Sequence, residues 1–261
     1  MSSNQRMENY LNPKTLNGTL RALKVCLTYP KLLLLRLRYG VIDCESYAIL
    51  MRLRKQGYIF DQIIDVGAHA GEFALAALLA FPECEKITSF EPQPDVAEKC
   101  KNKLLPFPAA KVERTALGSE VCKKTFYISS FTPDSSFFKT TEERLGDDRL
   151  KALEVPVKPL DDFGFHSSDA KCTLLKLDCQ GFEMEVLKGS QKTLKNVDVI
   201  LVEILFAPVY AGQCSFHQIY DTLINMGFYF GGPYCTMLDQ TLHGVQQIDA
   251  VFFKRKPNQT L

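Results

Sequence analysis

Two short segments carry residue types at spacings that chemistry can use. The first is Ile63-Ile64-Asp65-Val66-Gly67-Ala68-His69-Ala70-Gly71-Glu72-Phe73. An apolar run ends in a small-residue loop that opens directly into a helix-forming stretch. Gly67 permits a tight turn and close backbone approach to a ligand, and Gly71 lets the helix start near the strand. The N-terminus of such a helix presents unpaired N–H groups, and ligands of open α/β sheets lie beyond the carboxyl ends of the strands. The second segment is Lys176-Leu177-Asp178-Cys179-Gln180-Gly181, which also ends an apolar run and enters a helix.

The glycine spacing discriminates between cofactors. A dinucleotide loop wants G-x-G-x-x-G with its middle glycine against a pyrophosphate. His69 stands at that place and would crowd the phosphates, and no P-loop Lys-Ser/Thr follows. A cofactor without phosphates fits better. S-adenosylmethionine is such a compound, with an amino-acid end for the loop and a ribose for an acid. Glu91, in Ser89-Phe90-Glu91-Pro92, comes 24 residues after Gly67 and can accept from both ribose hydroxyls. Glu91 also reads as a helix-start acid ahead of Pro92–Asp95; the combination with the glycine loop favours the nucleoside site. Asp65 is expected beneath the loop, holding its backbone N–H groups, with direct contact to the methionine amine as the alternative.

Asp178 is expected at the carboxyl edge, above a transferring methyl, or as a plain helix-start acid; both readings stand open. Glu203, in Val202-Glu203-Ile204, is a carboxylate in an otherwise apolar strand. It is expected at a pocket edge rather than in a buried pair with Lys176. A base that takes the acceptor's proton is worth about 100- to 10,000-fold, and Asp178, Glu203 and His217 are candidates in that order. His217 more simply reads as a surface histidine near a helix start, and His166 and His243 read as loop histidines. Leu117 and Gly118 close the third run, where backbone groups could meet an adenine edge. Ser135, in the polar loop Thr132–Phe137, is read either as a cofactor or substrate contact or as a solvated turn. Asp161, Asp162 and Asp178 match no ligand spacing, so no metal is expected.

The elements that must position these residues alternate in type. Apolar runs at Gln62–Val66, Lys86–Phe90, Lys111–Leu117, Thr173–Leu177 and Val197–Ile204 are read as strands. Helical stretches are expected over Glu72–Phe81, Pro94–Leu104, Glu183–Leu194 and Phe216–Met226. That alternation is the signature of a parallel sheet with crossover helices. An insertion at about 119–160 carries two strand-like pieces and a charged helical piece near 141–152. Phe228–Phe230 and Asp249–Lys254 suggest an antiparallel edge. Residues 13–57 read as two or three helices.

Composition sets bounds. The 261 residues carry 31 Lys+Arg against 30 Asp+Glu, a formal net charge of +1, which argues against a dedicated DNA-backbone binder. Residues 1–60 hold ten basic and three acidic residues, a local +7. The basic helices there read as a cap on the sheet, as a substrate lid or dimer contact, or as a weak attachment to anionic lipid. Nine cysteines form no C-x-x-C pair and read as reduced thiols, which with no signal-peptide pattern gives a cytoplasmic expectation. The longest apolar run, Phe73–Phe81, is half of a membrane span.

A resemblance joins these pieces. Ile64–Gly71, Phe90-Glu91-Pro92, Ala116-Leu117-Gly118, Asp134-Ser135-Ser136, Leu160-Asp161-Asp162 and Leu175–Gly181 follow one another in order, and Leu187–Ser190, Val202-Glu203-Ile204 and Tyr210–Gln213 continue the series. This series resembles the FkbM family of S-adenosylmethionine-dependent methyltransferases over about residues 60–254. The resemblance implies a class I methyltransferase fold: a Rossmann-like, mostly parallel seven-stranded sheet with an antiparallel edge strand. It implies O-methylation of a hydroxyl on a small molecule, sugar or lipid. It implies cofactor contacts at Asp65, Gly67, His69, Gly71, Glu91, Leu117, Gly118 and Ser135, with Asp178 and Glu203 serving the reaction. Residues 59–256 form the expected methyltransferase domain and residues 1–58 a helical extension. The family usually has Asn where this chain has His69, and Glu where it has Gln180. Those departures keep a second reading open, a non-catalytic binding or scaffold protein on the same fold. A nucleotide-dependent oxidoreductase is a third, disfavoured by the missing middle glycine.

Overall fold

The computed structural model describes residues 23–39, 42–129, 135–139, 151–167, 169–206, 209–238 and 244–255. Seven strands form the main sheet: β1 (Gln62–Val66), β2 (Lys86–Phe90), β3 (Ala110–Glu113), β7 (Thr173–Leu177), β8 (Val199–Leu205), β9 (Phe228–Leu238) and β10 (Val245–Lys254). Their order is β3-β2-β1-β7-β8-β10-β9. The first five pair in parallel, and β10 runs antiparallel to both β8 and β9. The antiparallel strand thus lies one position in from the edge. Strand order reverses between β1 and β7, where open α/β sheets bind their ligands.

The sequence dictates this layering. β1 and β7 are buried at every residue, as parallel strands covered on both faces must be. Ile64, Val66, Leu175, Leu177, Ile200, Val202 and Ile204 point into one apolar layer. Ile63, Leu174, Val199 and Leu201 point into the other. The helix Glu72–Ala80 buries seven of its nine residues, because it is covered by both the sheet and the helix Cys44–Lys55. The latter contributes Tyr47, Leu50 and Leu53 to the same core. The helical extension therefore shares the sheet's second apolar layer.

Three expectations change in detail. The third run divides at Arg114 and Thr115 into β3 and β4 (Ala116–Leu117), and β4 belongs to a second sheet, β4-β6-β5. The Thr115 hydroxyl donates to the Pro156 carbonyl, which anchors the chain as it leaves the main sheet. That second sheet is the insertion: β5 (Cys122–Ile128) and β6 (Lys151–Lys158) pair antiparallel. Residues 151 and 152 are therefore strand, and the rest of the expected charged helix, 141–150, lies outside the described residues. The helix expected over Glu183–Leu194 stops at Lys188, and a 3-10 turn follows at Thr193–Asn196. Gly189 ends it against the Gly118 carbonyl, where a Cβ would come within 1.9 Å. No described helix is long and apolar enough to cross a membrane, and no disulfide links the nine cysteines, all of them described.

Candidate active site

The Gly67–Gly71 loop leaves β1 as the sequence suggests, and its glycines are required by packing. At Gly67, φ is +76° and a Cβ would lie 1.8 Å from the Asp178 carbonyl oxygen. The loop thus lies directly against the segment that follows β7. At Gly71, φ is +82° and a Cβ would meet Cys100 Sγ at 2.9 Å. Between them His69 has φ +47°, a left-handed conformation in which Asn, Asp and His are the enriched side chains.

Glu91 faces this loop. Its Oε2 accepts from the His69 N–H at 3.0 Å and its Oε1 from the Gln93 N–H at 2.8 Å. Each carboxylate oxygen keeps lone pairs beyond its one backbone donor, which suits a vicinal diol. Burial pushes the Glu91 carboxyl above its ordinary range, and the Gln93 and His69 groups work against that shift. His69 Nδ1 lies 3.4 Å from Glu72 Oε2. Glu72 is also paired with Lys103. Burial opposes its charge, yet His69 and Lys103 bring its pKa down to about 2.

Asp65 requires a correction. It is fully enclosed and holds no loop N–H. Its Oδ2 accepts from Ser89 Oγ at 3.2 Å and its Oδ1 lies 3.3 Å from Lys176 Nζ. Lys176 does the holding instead: it donates to the Gly67 carbonyl at 2.8 Å and lies 3.4 Å from Asp178 Oδ2. Burial disfavours the lysine's charge, but Asp178 and Asp65 outweigh it and hold the ammonium well above its usual pKa. Asp65 thus reaches the loop only through Lys176.

Gln180 is the hinge of the second segment. It sits at φ +52°, and its Nε2 donates to Asp178 Oδ1 at 2.9 Å and to Glu203 Oε2 at 2.8 Å. Its Oε1 accepts from the Tyr210 hydroxyl at 2.7 Å. One neutral amide therefore joins two carboxylates that would otherwise repel. Gln247 donates to the other Glu203 oxygen at 2.7 Å. Glu183 staples the turn, its Oε1 accepting from the Cys179 and Gly181 N–H groups; burial raises its pKa to about 7. Burial, then Asp178, Asp249 and Glu183, push Glu203 well above the carboxylate range.

Asp178, Glu203, Lys176 and Gln247 line a cavity of about 200 Å³ beyond β7 and β8, whose wall also includes Asp249, Phe73 and Asp43, Glu45 and Ser46 of the helix start. The strand pairing explains the convergence. Asp249 is the register partner of Glu203, and Asp178 follows two residues after Lys176, itself the partner of Leu201. Asp178, Glu203 and Asp249 thus stand on one level of adjacent strands. Asp249, Gln247, Tyr210 and Glu183 escape sequence reasoning as site residues, while Lys176 enters it only as a buried partner weighed for Glu203. A charged residue inside an apolar run is the signal for Asp249, within Ile248–Phe253, as it is for Lys176, within Thr173–Leu177.

The remaining candidates lie away from the Gln180 clasp. Leu117 is buried, the Gly118 N–H donates to the Lys158 carbonyl at 3.1 Å, and a Gly118 Cβ would strike Val157 at 2.6 Å. Ser135 is buried, with its Oγ accepting from the Ser129 N–H, while residues 132–134 of that loop lie outside the described ones. His217 is exposed on the helix Phe216–Asn225. Among the described residues, no cluster of His, Cys, Asp or Glu is arranged to hold a metal.

The doubly wound sheet, with one antiparallel strand inserted beside its edge, defines a class I, Rossmann-like methyltransferase fold. The model of the FkbM methyltransferase domain matches residues 65–230, and the chain belongs to that family. A similar curated protein is the 2-O-methyltransferase NoeI of Sinorhizobium fredii, 24% identical over 171 residues, covering 62% of this chain and 70% of NoeI. Similar solved structures include a methyltransferase FkbM from Methylobacillus flagellatus (TM-score 0.46, 15% identity, 74% of this chain, 43% of that chain). An O-methyltransferase family protein from Burkholderia thailandensis is another (TM-score 0.47, 8% identity, 97% of this chain, 64% of that chain). This chain thus spans less than two thirds of either solved relative.

Proposed function

We propose that this methyltransferase uses S-adenosylmethionine and methylates a hydroxyl of a small molecule, sugar or lipid. The supporting observation is the junction of the two segments: the Gly67 backbone lies against Asp178, with Glu91 on one side and the acidic cavity on the other. Glu91, oriented by the His69 and Gln93 N–H groups, suits the ribose diol. The Gly67–Gly71 backbone suits the amino-acid end. When bound, the cofactor supplies a sulfonium methyl, which needs alignment more than activation.

The chain's own residues then do two things. The Gly67–Asp178 contact and the cavity walls hold the reacting groups in line, and such alignment is worth up to roughly 7–11 kcal/mol. Asp178, fixed by Lys176 and by the Gln180 amide, takes up the acceptor's hydroxyl proton. Glu203 orients Asp178 through Gln180. The test is calorimetry with S-adenosylhomocysteine, followed by a methyl-transfer assay over a hydroxyl panel with Asp178→Asn. Cofactor binding is expected in both proteins, with turnover lowered about 100-fold or more in the variant. Absence of binding at millimolar concentration refutes the cofactor assignment. Binding with no turnover on any acceptor favours the scaffold reading.

A further inference from the structure

The helical extension has two faces, and packing on the sheet accounts for only one of them. Residues 23–28 are helical, and a second helix spans Lys31–Tyr39. Val25, Cys26, Tyr29, Leu32, Leu35 and Tyr39 turn onto the sheet's second apolar layer. Tyr29 meets Tyr47 edge-on at 5.6 Å, and Tyr39 meets Phe107 at 5.4 Å. Leu23 and Leu27 lie four residues apart, and Leu34 and Leu37 three, so each pair shares the outward side of its helix. These four are 55%, 74%, 67% and 79% exposed. A single exposed leucine is ordinary on a soluble surface. Two pairs at helical spacing within residues 23–37, each on the side turned away from the core, mark a contact surface.

The charge beside these leucines selects what covers them. Residues 9–42 hold Lys14, Arg21, Lys24, Lys31, Arg36 and Arg38, and no Asp or Glu. Lys24 and Arg38 are exposed, each next in sequence to an exposed leucine. We propose that this face docks on an anionic bilayer, with the four leucines entering the boundary between headgroups and acyl chains and Lys24 and Arg38 reaching the lipid phosphates. Long basic side chains suit that place, because their stems cover apolar surface while their charges stay at headgroup level. A helix of nine residues lies in the plane of the interface and does not span it. A second copy of the chain fits worse. A two-fold dimer lays the same strip on itself and sets basic groups against basic groups, with no acid in the strip to pair them. A nucleic-acid backbone would take the charges and leave the leucines in water. The docking face is independent of the methyltransferase reading and of the acceptor's identity.

The experiment is co-sedimentation of the full chain with vesicles of phosphatidylcholine alone and with vesicles that carry about 30% phosphatidylserine. Binding to the anionic vesicles is expected to be at least about tenfold stronger, and to be lost at about 1 M salt, where charges are screened within about 3 Å. Leu34→Asp combined with Leu37→Asp is expected to weaken the anionic binding at least about tenfold, and Arg38→Glu about tenfold. The melting temperature should stay at the wild-type value in each, because these side chains stand outside the core. Leu23→Asp with Leu27→Asp repeats the test should the first pair fail to fold. Equal binding to both vesicles, no binding to the anionic ones, or full binding by the folded leucine variants overturns the proposal. A dimer in sedimentation equilibrium that the leucine variants dissociate also overturns it, and gives the face to a second copy of the chain.

Discussion

Gln180→Glu probes the site's electrostatics at a single atom. The Gln180 Nε2 lies 2.9 Å from an Asp178 oxygen and 2.8 Å from a Glu203 oxygen. A carboxylate oxygen in its place puts three acids in mutual contact. Two like charges about 3 Å apart repel by roughly 5 kcal/mol each at an effective dielectric of about 20. The protein escapes most of that by keeping one proton. Holding a proton on a glutamate of ordinary pKa about 4.3 at pH 7.5 costs about 4 kcal/mol, and a charge-assisted O–H···O bond returns about 1.5 kcal/mol or more. The variant is therefore about 3 kcal/mol less stable than wild type at pH 7.5. Its folded state binds more protons than its unfolded state above pH 4.3, so stability falls as pH rises. By about pH 5 the deficit shrinks below about 1 kcal/mol. Urea unfolding at both pH values measures this. Equal loss at both, or none at either, shows that the amide does not bridge the two carboxylates.

Other perturbations have separate readouts. Gly67→Ala drives a Cβ into the Asp178 carbonyl, and thermal melts should show a loss of about 3 kcal/mol or more, with weakened cofactor binding. Lys176→Met leaves Asp65 enclosed without its cation and should cost about 3–5 kcal/mol in chemical unfolding; a neutral outcome would mean that the pair adds nothing net. Burial, then Asp178, Asp43 and Glu45, raise Asp249 to about 7. Its folded pKa exceeds its unfolded one, so the wild type loses stability as pH climbs from about 4 to 7, by no more than about 4 kcal/mol from this group. Asp249→Asn should flatten that slope in melts at pH 5 and pH 8. His69→Asn places a residue tolerant of left-handed φ at +47°, and should preserve or raise the melting temperature while keeping the N–H bond to Glu91.

The parts of the fold that show in the sequence are those set by local pattern. β1, β2 and β7 are short segments centred on apolar residues, and their ends coincide with those read from the chain. Pro94 at the first turn marks the start of the helix Pro94–Leu104 just as clearly. The insertion's two strand-like pieces show, but not that they form a separate sheet with β4, because β5 and β6 are interrupted by charged residues and pair with each other across the insertion. The inset of β10 is a pairing fact, and pairing between residues 199–205 and 245–254 leaves no local trace. The site divides in the same way. Gly67, Glu91 and Asp178 are visible because loops at strand ends have recognisable residues. The clasp of Gln180 on Asp178, Glu203 and Tyr210 joins three separate stretches of chain, and sheet order alone brings them together. The place of Asp65 leaves no local trace, because its lysine partner sits on a neighbouring strand, more than a hundred residues along the chain.

In the proposed reaction, Glu91 and the Gly67 loop together hold the cofactor with its sulfur turned toward Asp178. A crystal structure of the chain with S-adenosylhomocysteine tests it directly. Both ribose hydroxyls are expected on the Glu91 carboxylate, and the sulfur facing the cavity that Asp178 and Glu203 line. A ribose bound elsewhere, or a sulfur directed away from Asp178, contradicts it.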